Sequence, residues 1–85
     1  MDLLTAQTPA QLRAHLKALR KASGLTQTQL ARRLGIGQAR MADIEKHPEL
    51  VSAAQLLNVF AALGVEVLLR RKPVSPGRTT PTGDW

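Results

Sequence analysis

The sequence predicts a mainly α-helical bundle of four to five helices with one short strand near its C-terminal end. Three observations predict it. A Ser or Thr is followed three residues later by Gln at Thr8/Gln11, Thr26/Gln29 and Ser52/Gln55. In such a capping box the hydroxyl accepts from a free helix N–H, and the Gln reaches back to the cap. Apolar residues then recur at spacings of three and four behind each box, whereas a period of two occurs only over Val65, Val67 and Leu69.

Each element follows from its residues. Thr8-Pro9-Ala10-Gln11 opens the first helix, with Pro9 suited to its first position. Leu12, Leu16 and Leu19 form its apolar stripe, Arg13, Lys17, Arg20 and Lys21 take other faces, and Ser23-Gly24 closes it. The second helix turns Leu30, Ala31 and Leu34 inward and stops at Gly35, where a left-handed conformation is favoured. A third begins in "GIGQARMADIEKH", with Ile36 and Met41 spaced as a hydrophobic staple, Met41 and Ile44 as its inner stripe, and Pro48 marking its end. The fourth puts Leu56, Phe60 and Leu63 on one face and Leu57 and Ala61 on an adjacent one, and Gly64 stops it. The strand at 65–72 has no pairing partner within the chain, so the expected partner is the same strand of a second copy across a two-fold axis.

Composition narrows the function. Eighty-five residues make one domain, expected to span 1–72, with 73–85 as a mobile tail rich in Pro, Gly, Ser and Thr. Cysteine is absent, so no disulfide or thiolate metal site is expected, and nothing calls for a cofactor. No apolar run approaches the roughly 20 residues that cross a bilayer, and the N-terminus lacks a signal-peptide pattern, so a cytoplasmic location is expected. Twelve Lys/Arg against six Asp/Glu leave a formal charge of +6, and the pI is near 11.3. That excess on a small domain points to a polyanionic partner, with plain solubility as the alternative. An enzyme is not expected: His15 and His47 stand alone, and Asp43 and Glu45 fall on opposite sides of their helix.

Two short helices joined by Gly35-Ile36-Gly37-Gln38 fit a helix-turn-helix, whose second helix enters the DNA major groove. With Met41 and Ile44 inward, Ala39, Ala42, Asp43 and Lys46 point outward, and Gln38 lies at the exposed start. Glutamine can bond adenine N6 and N7 together, and alanine can meet a thymine methyl. Arg32, Arg33, Arg40 and Lys46 are candidates for phosphate contact, although a single Arg or Lys on a helix surface is more often just a solvated charge. Asp43 would repel phosphate but could accept from cytosine N4. The stretch "LTQTQLARRLGIGQARMADIEKH" resembles the XRE/Cro-like repressor family, with matches at Thr26-Gln27, Leu30-Ala31, Leu34-Gly35, Gly37-Gln38 and Ile44-Glu45. The resemblance implies a Cro/lambda-repressor-like fold with Gln38 as main base reader. It also implies Ala39, Ala42 and Asp43 at further groove positions, with Thr26 and Gln27 near phosphate and Gln27 bonded to Gln38.

The chain closes in "RTTPTGDW", and its one tryptophan is Trp85. An inert tail or a tail folded back on the domain are the plain readings; Trp is also a typical interface anchor. A Cro-like domain, a short dimer-forming strand and a tail ending in Asp84-Trp85 resemble the HipB antitoxin family. That resemblance implies a homodimer that represses its own operon and binds operator DNA. It also implies capture of a HipA-type serine/threonine kinase toxin, with Trp85 and Asp84 as toxin contacts. An ordinary repressor with a passive tail, or a kinase-inhibiting module that does not bind DNA, are the alternatives.

Overall fold

The computed structural model describes residues 3–73, and within them the chain forms four α-helices and one 3-10 turn. They are α1 (Pro9–Ala22), α2 (Gln27–Leu34), α3 (Gln38–Lys46), the 3-10 turn Pro48–Leu50 and α4 (Ala53–Ala62). The first two capping boxes form in full. Thr8 Oγ1 accepts from Gln11 N at 3.1 Å while Gln11 Oε1 accepts from Thr8 N at 3.1 Å. Thr26 and Gln29 repeat the pattern at 3.1 and 2.9 Å. At α4 only the forward arm forms, Gln55 N donating to Ser52 Oγ at 3.1 Å.

Gly35 ends α2 at φ 70°, in the left-handed region. There Ile36 N donates back to Ala31 O at 3.0 Å and Gly35 N to Arg32 O at 3.2 Å, satisfying carbonyls the helix leaves open. A Cβ on Gly35 would meet nothing within 4 Å, so the requirement for glycine is conformational rather than steric. The turn is shorter than expected. It spans Gly35 to Gly37, because Gln38 already belongs to α3 with Gly37 as its N-cap.

The core gathers Leu16 from α1, Leu30 and Ala31 from α2, Met41 and Ile44 from α3, and Val59 and Phe60 from α4. Burying residues such as Met41 or Ile44, both at 0% exposure, contributes about 1.5–3 kcal/mol each. Val59 corrects the reading of α4. The buried stripe runs 56, 59, 60, 63, which is the i, i+3, i+4, i+7 set, while Leu57 and Ala61 are exposed. Pro48 is also buried, so it opens the 3-10 turn under the bundle as well as ending α3.

Arg20 departs from the surface role its charge predicted. It continues the stripe of Leu16, is 9% exposed, and donates from Nε to Glu45 Oε2 at 2.6 Å. Its Nη1 donates to Leu25 O at 2.9 Å. One guanidinium therefore ties α1 to α3 and to the turn before α2. The pair is charge-assisted and hydrogen-bonded, which a buried ion pair needs to offset its desolvation.

Residues 65–73 form no strand in the single chain. Val65 is half-buried and packs against the bundle's own core, its N–H closing the end of α4 on Phe60 O at 2.8 Å. Val65 thus spends part of its apolar surface on its own chain, whatever a second copy covers of the rest. Val67, Leu68 and Leu69 are exposed, Leu69 at 97%. An isolated strand has no ladder to join, which accounts for its absence from one chain. Asp84 and Trp85 lie outside the described residues.

Candidate nucleic-acid interface

α2 and α3 pack closely on each other, and the short turn fixes the angle between them. Met41, Ile44 and Glu45 take the inner side of α3. The outer side carries Ala39, Asp43 and Lys46, all exposed, with Ala42 half-buried at its edge. Gln38 and Arg40 flank it and are exposed. At 100° per residue the inner and outer sets stand on opposite sides, so this surface is open to an external partner. Its one outward carboxylate is Asp43; the carboxylate of Glu45 is buried and paired with Arg20.

Gln27 and Gln38 are brought together from different helices. Gln38 Nε2 donates to Gln27 Oε1 at 3.0 Å. The bond consumes one of two N–H donors on Gln38 and leaves its carbonyl oxygen open. Gln27 keeps both amide N–H donors. Thr26 caps α2 with its oxygen and retains the hydroxyl proton as a donor.

The predicted cations divide. Arg40 is exposed on the flank of α3 opposite Gln38, and Lys46 is exposed at the C-terminal end. The Lys46 carbonyl accepts from Arg13 Nη1 at 3.1 Å, which anchors the end of α3 to α1. Arg32 and Arg33 line a groove with Leu25 and Gln29, to which α3 contributes no residue. Arg13 and Lys17, which no motif singled out, share a groove with the reading helix. They line a groove of about 490 Å³ together with Gln27, Ala42 and Lys46. Their spacing of four on α1 is visible in the sequence, but nothing local tells which face of α1 lies against α3. Among the described residues no His/Asp/Glu group could hold a metal, and no helix is long and apolar enough to cross a membrane.

Residues 11–72 match a family model described as a helix-turn-helix domain. Antitoxin HipB of Escherichia coli O6:H1 is 31% identical over 71 residues, which cover 80% of this chain and 76% of that protein. Antitoxin HipB of Escherichia coli K12 is 30% identical over 80 residues, covering 93% of this chain and 91% of the relative. Among solved structures, the HipB of a HipB–O1–O2 complex superposes with a TM-score of 0.73 at 26% identity, covering 81% of this chain and 100% of that one. A chain of a HipA–HipB–O2–O3 complex gives 0.75 at 25% identity, with 84% and 100% covered. With the helix-turn-helix geometry in place and likeness to HipB extending over most of both chains, the protein belongs to the helix-turn-helix family and, within it, to the HipB-type antitoxins.

Proposed function

We propose that this antitoxin works as a homodimeric autorepressor that also binds and neutralises a HipA-type serine/threonine kinase toxin. One observation carries the DNA half: Met41 and Ile44 are fully buried while the opposite side of α3 is open, with Gln38 held by Gln27 at its start. The donor count supports adenine reading. One Gln38 N–H is spent on Gln27, the second is available for adenine N7, and the free carbonyl oxygen can accept from N6. Gln27 then has N–H donors left for phosphate, coupling position to sequence. Ala39, Ala42 and Asp43 complete the groove face, and Thr26, Arg40 and Lys46 supply backbone contacts.

Dimerisation follows from the strand carrying Val65, Val67 and Leu69, the last two exposed in the single chain, pairing with its counterpart in a second copy. Two recognition helices then meet half-sites about one helical turn, roughly 34 Å, apart or a multiple of it. The solved HipA–HipB–O2–O3 complex, in which a chain this similar stands beside HipA, favours a toxin partner. Trp85, with Asp84 beside it, is the proposed anchor in the toxin. The protein acts in the cytoplasm.

The test has two arms. Gln38→Ala costs about 1–3 kcal/mol at the operator and relaxes preference at one base pair. Trp85→Ala leaves operator binding intact and weakens toxin capture by about 2 kcal/mol or more, as loss of an interface anchor does. Unchanged operator affinity in the first variant removes the reading of α3. Unchanged toxin binding in the second favours an ordinary repressor whose tail is passive.

A further inference from the structure

We infer that the groove between α1 and α3 seats a backbone phosphate of the bound DNA, with Lys17 and Arg13 as its ligands. The inference rests on the DNA-binding reading above and extends it to a helix outside the helix-turn-helix. An α-helix about 10–12 Å across fills a major groove about 12 Å wide, so phosphates necessarily flank it. On one flank of α3, at Ala42 and Lys46, the fold opens a groove of about 490 Å³ whose far wall is α1.

The chemistry of that groove suits an anion. Three cations line it: Arg13, Lys17 and Lys46. Among the described residues its one carboxylate, Glu45, is held by Arg20 at 2.6 Å and is thereby compensated. Among the described residues Arg13 and Lys17 have no carboxylate within ion-pair distance. Arg13 is positioned by its bond to the Lys46 carbonyl at 3.1 Å, which spends one of five N–H donors. The alanines at 10, 14 and 42 keep the space open. Gln27 also reaches the groove, so the residue bonded to the base reader touches the same phosphate seat.

Arg32 and Arg33 make the contrast. Their groove is formed with Leu25 and Gln29 and holds no α3 residue.

Salt dependence measures phosphate neutralisation directly. The full-length protein is titrated onto a duplex from the DNA upstream of its own reading frame, across a series of salt concentrations. Lys17→Ala lowers the slope of log affinity against log salt by about 0.9 for each phosphate it no longer neutralises, or about 1.8 for a symmetric dimer. Preference among sequences stays as in the parent. Arg13→Gln, which removes the charge and keeps a polar side chain, gives the same reduction of slope. Arg32→Ala keeps the parental slope. A parental slope in both Lys17→Ala and Arg13→Gln overturns the phosphate seat while leaving the reading of α3 standing. A parent protein that binds the duplex without salt dependence, or not at all, overturns both.

Discussion

Met41 and Leu69 are both long apolar side chains, and the single chain treats them oppositely. Met41 is 0% exposed in the core of the bundle, whereas Leu69 is 97% exposed in a segment without secondary structure. The helical region closes on itself: its helices end in caps, its carbonyls are answered at Gly35 and Gly64, and its buried cation has a partner. The segment 65–73 offers the same kind of residue with nothing among the described residues to cover most of it. Apolar periodicity therefore marks surfaces to be buried without saying which molecule buries them. In the helices the neighbour lies within the chain. After Val65 the proposed neighbour is a second copy.

The largest effect expected within the helical region comes from the Arg20–Glu45 pair. Glu45→Ala leaves a buried guanidinium uncompensated and destabilises the fold by about 3–5 kcal/mol in chemical unfolding. Replacing both partners by apolar residues, Arg20→Met with Glu45→Leu, restores most of that stability. A loss below about 1 kcal/mol in the single variant would mean that the pair is solvated like a surface bridge.

A smaller loss is expected at the turn. Gly35→Ala keeps the space around the residue but forces an L side chain into the left-handed region, at about 1–2 kcal/mol. Thermal unfolding checks it, and an unaltered midpoint would show that the turn relaxes to another conformation without cost.

The least effect on the helices, and the sharpest division between the two regions, is expected of Leu69→Asp. Unfolding measured on the monomer stays within about 0.5 kcal/mol of the parent, since the side chain touches no core residue there. Self-association weakens by about tenfold or more, because pairing would bury a lone carboxylate. Sedimentation across a concentration series reads the second quantity. An unmoved monomer–dimer equilibrium removes the paired strand from the molecule.

Much of the helical region is legible in the sequence because its signals are local. Thr8 and Thr26 stand three residues from the Gln that completes each box, and Gly24, Gly35 and Gly64 sit just beyond the helices they close. Met41 and Ile44 define the inner side of α3 by spacing alone, which is also why its outer residues can be named. What stays hidden depends on distant contacts. Arg20 and Glu45 are 25 residues apart, and only the packing of α1 on α3 turns a surface cation into a buried one. Val59 escapes a reading of α4 because two overlapping stripes fit that helix, and the fold chooses between them. The approach of Arg13 and Lys17 to α3 has the same origin.

A role as regulator stands on the side of α3 opposite Met41 and Ile44 lying against DNA bases. A titration of isotope-labelled protein with the upstream duplex, followed by the backbone amide signals, reads that surface residue by residue. The largest shifts are expected on residues 26–28 and 37–43, with core amides of α4 little changed. Shifts confined to α4 and residues 65–73, with the amides of Gln38, Ala39 and Asp43 unmoved, would contradict it.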